Sequence, residues 1–219
     1  MDLSLKEKLI IVLLDPEKGR LIMEQSRISN ALTACIIFEM KEQGILAFNQ
    51  NKLQASSFRY PNDAIHQEVL KKLSAVKREK KFNFWLMKLS WKGGHYRRAI
   101  ITNLQSKQLI GTERKYFFNI IPYTRYFFIN LSLRRKFIEH LRTVVFNSAT
   151  PSKEDFLLLG LISVANVNRI IYRNREEKKM MKDRIKELLS GDLVDKDVLL
   201  ILKRVKEAIR SSSAVLAGT

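Results

Sequence analysis

Apolar residues recur at helical spacing along most of the chain, with polar residues between them. The first such stretch follows Ser4 and Glu7, whose spacing is that of a helix capping box, and it ends before Pro16. A second stretch, 26–43, is more apolar and is followed by Gly44, the residue type favoured just after a helix. We therefore expect a central, buried helix over 26–43.

The same spacing predicts seven further helices. Their expected starts or ranges are Pro61, 82–89, Gly93, Ser132, Thr150, 175–189 and 195–209. Ser132 is a favoured capping residue, and Thr150 followed by Pro151 has the order typical of a helix start. The aromatic-rich helix 82–89 is expected to pack in the core through Phe82, Phe84, Trp85, Met87 and Leu89.

Two polar runs flanked by apolar residues predict two short β-hairpins. The first would pair 45–48 with 53–57. The second would pair 109–110 with 116–121 across a turn at 111–115. No linker rich in Pro, Gly or Ser divides the 219 residues, and a chain of this length can bury one substantial core. The expected fold is mainly α: a single compact helical domain over 1–219, with a buried helical core, surrounding amphipathic helices and two short β-hairpins.

Positive charge is concentrated in the middle third of the chain. The formal net charge is +18, and residues 71–150 hold 18 Lys or Arg against 3 Asp or Glu. Such asymmetry favours a polyanionic partner, either nucleic acid or the anionic face of a membrane, with a solvated basic surface as the alternative. Arg97 and Arg98 lie near the expected start of a helix, where unpaired backbone N–H groups favour an anion such as a phosphate.

Residues that carry catalytic or metal chemistry are sparse. None of the common motifs for nucleotide binding, metal-dependent hydrolysis or nucleophilic catalysis occurs, and the three histidines are far apart. The one cysteine, Cys35, lies in an apolar run typical of a buried residue. Glu39 and Glu42 share a helix face and are expected to be exposed to solvent. We therefore expect no enzyme, no catalytic residue, no metal site and no cofactor.

The distribution of apolar residues also bears on membranes. No apolar run approaches the roughly 20 residues needed to span a bilayer, and Lys6 interrupts any signal-peptide core. The aromatic run 123–128 would be unusually apolar for an exposed loop. We therefore expect a cytoplasmic protein that is peripherally associated with the membrane.

A nucleic-acid-binding function is the alternative. Both 38–54 and 102–118 run from a helix through a break to an apolar pair, a polar turn and a strand. This is also the order at the end of a winged helix-turn-helix unit, so the basic middle third permits a winged-helix regulator.

Several short stretches occur in a distinctive order. They are 3–9 (LSLKEKL) with Asp15 and Gly19, then 35–39 leading to 44–46, Trp85, the helix 97–104, and Pro122 with Thr124, Arg125 and Tyr126. Their order and spacing resemble those of the Golgi phosphoprotein 3-like family, and the resemblance covers nearly the whole chain. Because the chain begins without the long N-terminal extension of eukaryotic members, it is expected to be most similar to the compact bacterial ones.

The resemblance implies a mostly helical domain that binds the headgroup of phosphatidylinositol 4-phosphate, an anionic membrane lipid, in a basic pocket. In eukaryotes it also implies an adaptor role toward the cytosolic tails of Golgi enzymes. Arg97 matches the last basic residue of that pocket, whereas Gly94, Thr33 and Glu24 stand where the family has its other ligands. The nearby residues expected to complete the headgroup site are Arg98, Trp91 and Arg27.

The resemblance further implies a hairpin that inserts at the membrane and supports a homo-oligomer. The residues that match this hairpin and its flank are Tyr116, Phe117, Phe118, Ile120, Ile121, Tyr123, Arg125 and Tyr126.

Overall fold

A computed structural model describes residues 3–56, 60–147, 149–190 and 195–217, and in this part of the chain the fold is mainly helical, as predicted. The helices are α1 Leu5–Leu13, α2 Gln25–Glu42, α3 Ala64–Ser74, α4 Phe82–Ser90, α5 Gly93–Ser106, α6 Leu131–Phe146, α7 Lys153–Val164, α8 Arg175–Ser190 and α9 Lys196–Ala217. A short 3-10 turn, Asn168–Ile170, lies between α7 and α8. The strands are β1 Leu46–Asn49, β2 Lys52–Ala55, β3 Lys80–Lys81, β4 Ile110–Phe117 and β5 Ile121–Phe128.

Helix α2 is the centre of the fold. Every residue from Ile28 to Met40 is buried, and α1, α4, α5 and α9 all pack against this helix. A helix that is apolar on all sides is stable only when other elements surround it. The prediction of a central buried helix is confirmed, with each end shifted by one residue.

Charged side chains form a buried network where α1, α2 and α3 meet. The Nζ of Lys6 lies 2.6 Å from Glu39 Oε2 and 3.0 Å from Asp63 Oδ2, and His66 Nε2 lies 2.9 Å from the same Glu39 oxygen. The backbone N–H of Lys6 also donates to Glu39. The expectation that Glu39 is exposed is therefore wrong, because its partners come from helices distant in sequence.

This network changes the ionisation of its members. Burial by itself would raise the pKa of Glu39, but the hydrogen bond with His66 and the charge of Lys6 outweigh it, so the pKa falls below the usual 4.5. Burial would likewise lower the pKa of Lys6, but Glu39 and Asp63 raise it above 10.5. Both groups are held in their charged forms at neutral pH.

Helices α6 and α7 begin at caps other than the predicted ones. The side chain of Asn130 accepts the N–H of Ser132, so Ser132 lies inside α6. Ser152 caps α7 by accepting the N–H of Asp155, whereas the predicted start was Thr150. In each case the capping side chain is the one that reaches an unpaired N–H of the first turn. Helix α9 runs to Ala217, beyond the predicted end at residue 209.

The first hairpin forms where the sequence predicts it. Strand β1 pairs antiparallel with β2, and Leu46 lies opposite Ala55. Gln50 and Asn51, which form the turn, both have positive φ angles, as a tight two-residue hairpin turn requires. The short strand β3 extends this sheet. The last residue of the predicted second strand, 57, lies outside the described residues.

The second hairpin is longer than predicted, and its turn lies elsewhere. Strands β4 and β5 pair over eight residues each, from Ile110 opposite Phe128 to Phe117 opposite Ile121. The predicted turn, 111–115, is part of β4, and the chain reverses at 118–120. Cross-strand pairing stabilises this polar run as a strand, which a local reading of turn residues cannot detect.

Candidate functional site

The tip of the β4–β5 hairpin exposes a continuous set of large apolar and aromatic side chains. Phe118 and Ile120 are 81% and 78% exposed. The rings of Phe117 and Phe118 contact each other edge to face, with centroids 4.4 Å apart. The exposed set at the tip consists of Tyr116, Phe117, Phe118, Ile120, Ile121 and Tyr123, and Phe127 and Ile129 are also exposed, nearer the base. Exposed apolar patches of this kind mark sites of interaction with proteins or membranes.

The base of the hairpin is attached to the loop that joins α1 to α2. The N–H of Tyr126 donates to the carbonyl of Gly19 at 2.8 Å, and Arg125 Nη2 donates to the carbonyl of Glu17 at 2.7 Å. Gly19 has φ +62°, and a Cβ there would lie 2.2 Å from the Arg125 side chain. Of the predicted hairpin residues, Arg125 and Tyr126 therefore lie at the anchored base, and the other six lie at the exposed tip.

Arginine side chains at the start of α5 remain available to an anion. Arg97 contacts the Gln25 side chain on α2 through Nη1 and pairs with no carboxylate among the described residues. Arg98 is exposed. Lys92 makes no capping hydrogen bond through its side chain, and the first turn of α5 contains no acidic residue. Within α5 itself no acidic side chain compensates the end that attracts anions, and Glu68 of α3 lies 3.1 Å from His95 in this turn.

Arg27, on α2, and Trp91, directly after α4, are the other two residues expected at the headgroup site. Arg27 Nε is 3.2 Å from Glu24, and its Nη1 donates to the carbonyl of Ala165 at the end of α7. Trp91, directly after α4, is 82% exposed. The structure thus gives Arg27 protein partners, leaves Trp91 to solvent, and does not bring either into hydrogen-bonding contact with Arg97. Their predicted role in a headgroup site stays a prediction.

The positive charge of α6 is less available than its sequence indicates. Arg142 pairs with Glu177 at 2.8 Å and is mostly buried, and Arg134 is partly buried with Nη2 3.4 Å from the carbonyl of Val12. Arg135 and Lys136 are exposed. The arginine hydrogen bond lowers the pKa of Glu177 to about 2. Arg142 therefore ties α6 to α8 and contributes little to the basic surface.

A second apolar feature is a cleft of about 860 Å³ between α2, α4 and α9, lined in part by Phe84, Met87 and Trp91. Met87 was predicted to lie in the core and is instead 56% exposed. In α4 the buried side chains are Phe82, Trp85, Leu86 and Leu89. The signal was present in the sequence, because 84, 87 and 91 form a second stripe at helical spacing on another side of α4.

Neither a metal centre nor a membrane-spanning helix is found within the described ranges. No group of three His, Cys, Asp or Glu side chains there could hold a metal ion. None of the helices described is both long and apolar enough to cross a bilayer. Cys35 is fully buried, and burial raises the pKa of its thiol well above the usual 9.0.

A comparison with known protein families finds a match over nearly the whole chain. A family model described as Golgi phosphoprotein 3 (GPP34) matches residues 5–210, a range that includes the β4–β5 hairpin, α5 and the cleft up to Ala208. No curated protein matches the chain. Because the family match covers nearly the whole sequence, the chain belongs to the Golgi phosphoprotein 3 (GPP34) family.

Proposed function

We propose that the protein is a non-catalytic, peripheral protein of anionic membrane surfaces, which it contacts through the tip of the β4–β5 hairpin. The observation that carries this proposal is the exposed apolar and aromatic set at the tip, with Phe118 and Ile120 about four-fifths exposed. Aromatic and aliphatic side chains on one projecting element gain free energy by burial in a bilayer interface.

The charge of the chain supports the same proposal. Residues 71–150, which include the hairpin, carry an excess of 15 positive charges. Each Lys or Arg close to an anionic leaflet contributes roughly 1 kcal/mol to binding. Arg114, exposed on β4 next to the tip, and Lys115 place cations beside the apolar side chains that would enter the interface. A few such residues are enough for reversible attachment.

The start of α5 is the proposed contact for a lipid phosphate. Arg97 and Arg98 are near the positive end of the helix dipole, and Arg97 has no carboxylate partner among the described residues. By family resemblance the headgroup is that of phosphatidylinositol 4-phosphate or a similar phosphate. Gly94 brings no charge and Thr33 is fully buried, so fewer cations surround this site than in the family pattern. We therefore propose that this site accepts anionic lipid headgroups in general.

Two further parts of the proposal come from the family resemblance. The hairpin tip would also bind a second copy of the chain, since an apolar surface suited to a bilayer suits a protein interface as well. The membrane-bound protein would act as an adaptor toward cytosolic tails of membrane proteins.

Vesicle flotation tests the membrane proposal. The protein should float with vesicles that contain phosphatidylglycerol, cardiolipin or a phosphoinositide, and should float weakly with phosphatidylcholine alone. The double variant Phe117→Ser, Phe118→Ser should lose retention at low and at high salt. Its matched control replaces Tyr60 and Met180, two exposed apolar residues outside the hairpin, with Ser and should float like the unchanged protein.

Three results would contradict the proposal: equal flotation with neutral vesicles, no flotation with any vesicle, or equal losses in the hairpin variant and its control. A gel-shift assay on random and genomic DNA fragments run beside it tests the nucleic-acid alternative. Sequence-selective binding at physiological salt would favour a winged-helix regulator instead.

A further inference from the structure

We infer that the cleft between α2, α4 and α9 binds a single acyl chain with an anionic head, such as a fatty acid. The cleft has a volume of about 860 Å³, within the range of about 300 to 1,000 Å³ typical of small-molecule sites. Its lining includes Phe84, Leu86, Met87 and Trp91 from α4 and the residue after it, and Ala208 from α9. This site lies apart from the hairpin tip, and it shares Trp91 with the residues expected to complete the headgroup site.

Two large side chains in the cleft are exposed to water, and a bound apolar ligand would cover them. Met87 on α4 is 56% exposed and Trp91, directly after α4, is 82% exposed, although α4 buries Phe82, Trp85, Leu86 and Leu89. Phe84, also in the lining, is half-buried. A methylene chain laid along these three side chains would remove apolar surface from water, which favours binding in proportion to the area covered.

Three polar side chains that line the cleft are occupied by the protein. Ser29 donates to the carbonyl of Gln25 at 2.9 Å, and the Asn30 amide donates to the carbonyl of Ser26 at 3.2 Å. Ser90 donates in the same way to the carbonyl of Met87. Because these three donors are used within their own helices, they offer little to a sugar or nucleotide, and the apolar side chains beside them favour an apolar ligand.

Lysine side chains near the cleft indicate that its ligand is negatively charged. Lys81 lines the cleft, and the Nζ atoms of Lys80 and Lys88 lie 5.6 and 5.4 Å from the centre of the Phe84 ring. None of these lysines pairs with a carboxylate in the described part of the chain. Arg204, also at the cleft, is neutralised by Glu207 at 2.8 Å. An unpaired ammonium group in the lining, Lys81, with two more beside the Phe84 ring, is complementary to a carboxylate or phosphate head attached to one apolar chain.

Tryptophan fluorescence provides a direct test, because the chain has only two tryptophans. Trp85 is buried and should respond little, whereas Trp91 should shift to shorter wavelength when a chain covers it. Titration with myristate below its critical micelle concentration should give a saturable shift. Neutral monomyristoylglycerol should bind at least fivefold more weakly, and Lys81→Gln should reduce that difference.

A matched pair of variants separates the cleft from general apolar adsorption. Met87→Asp places a carboxylate in the cleft and should weaken myristate binding at least tenfold. Met180→Asp makes the same change at a methionine of similar exposure, 53%, outside the cleft, and should bind like the unchanged protein. Both variants should melt near the unchanged protein because both side chains are exposed.

Three results would each overturn the inference. They are no saturable shift with myristate, equal binding in Met87→Asp and Met180→Asp, and equal affinity for the neutral analogue. Flotation of Met87→Asp on phosphatidylglycerol vesicles then identifies the source of the acyl chain. Unchanged retention supports a free amphiphile, and reduced retention supports the chain of a bilayer lipid.

Discussion

Arg125 and Glu113 lie directly opposite each other on the two strands of the exposed hairpin, with Nη1 2.9 Å from Oε1. The same guanidinium donates through Nη2 to the carbonyl of Glu17, in the loop between α1 and α2. One side chain therefore joins the two strands to each other and joins the hairpin to the body of the protein. This arrangement orients an apolar tip that has no core of its own.

Replacing Arg125 with Ala should loosen the hairpin without unfolding the domain. Amide hydrogen exchange of β4 and β5 should become faster, while the exchange of α2 and the melting temperature stay nearly the same, since local openings need not involve the core. Lys115→Ala is the control, because Lys115 also pairs with Glu113 but has no ion pair outside the hairpin among the described residues. Equal acceleration in both variants would show that Arg125 does not anchor the base.

Phe118 at the tip has a backbone conformation that phenylalanine rarely adopts, with φ +48°. Phe118→Gly should relieve about 1 kcal/mol of left-handed strain, so stability should be maintained or slightly raised. Vesicle retention should nevertheless fall, because the exposed ring is lost.

The neighbouring residue offers a control for Phe118. Asn119 has φ +58°, so Asn119→Gly places glycine at a neighbouring left-handed position and removes no apolar side chain; it relieves less strain, because asparagine tolerates this conformation better than phenylalanine. Its vesicle retention should match that of the unchanged protein. Equal retention in the two variants would show that the Phe118 ring does not enter the interface.

Arg97→Ala should weaken binding to anionic vesicles at least about tenfold, since a charge-assisted hydrogen bond to a phosphate contributes about 1.5 to 3 kcal/mol. The melting temperature should change little, because the one side-chain hydrogen bond of Arg97 within the described residues is to the Gln25 amide. Arg175→Ala, at the start of α8, is the matched control and should bind normally. Unchanged vesicle binding together with a large loss of stability would assign Arg97 a structural role.

Adjacent glycines at the start of α5 should respond in opposite ways to alanine. A Cβ on Gly93 would lie 2.2 Å from Ser29 Oγ and 2.7 Å from its Cα, so Gly93→Ala should destabilise the protein by about 1 to 3 kcal/mol. A Cβ on Gly94 would meet only Gln25 Nε2, at 3.5 Å, and alanine there should be neutral or stabilise by up to about 1 kcal/mol. Denaturant unfolding measures both. Equal free energies of unfolding would contradict the close packing of α5 on α2.

The buried network should make stability depend on pH at both extremes. Because the pKa of Glu39 is lowered below 4.5, its contribution to the free energy of unfolding is complete above the unfolded-state pKa. That contribution is lost as pH falls through the folded-state pKa. Because the pKa of Lys6 is raised above 10.5, its contribution to the free energy of unfolding is complete below the unfolded-state pKa. That contribution is lost as pH rises through the folded-state pKa.

The variant Glu39→Gln tests this network. At neutral pH it should lower the free energy of unfolding by about 3 kcal/mol, since it leaves a buried ammonium with fewer partners. It should also flatten the loss of stability in acid. Glu42→Gln, on the exposed part of the same helix, should change stability by less than about 0.5 kcal/mol. A steep acid transition that persists in Glu39→Gln would place the titrating group elsewhere.

Much of the fold follows from local sequence signals. The all-round apolar stretch of α2 predicts its central position, and the turn residues Gln50 and Asn51 predict the first hairpin, because periodicity and turn chemistry act over a few residues. The apolar content of the second hairpin, around Phe117, is likewise visible in the sequence.

Only the tertiary structure decides which charges are neutralised by ion pairs and which apolar side chains stay exposed. Glu39 is buried because Lys6, 33 residues away, reaches it, and Arg142 is neutralised by Glu177, 35 residues further along the chain. Met87 is exposed because the first apolar stripe of α4 fills the core and the second does not. The length of β4 depends on cross-strand partners. Such contacts join distant positions, so the free energy that selects them exists only in the folded chain.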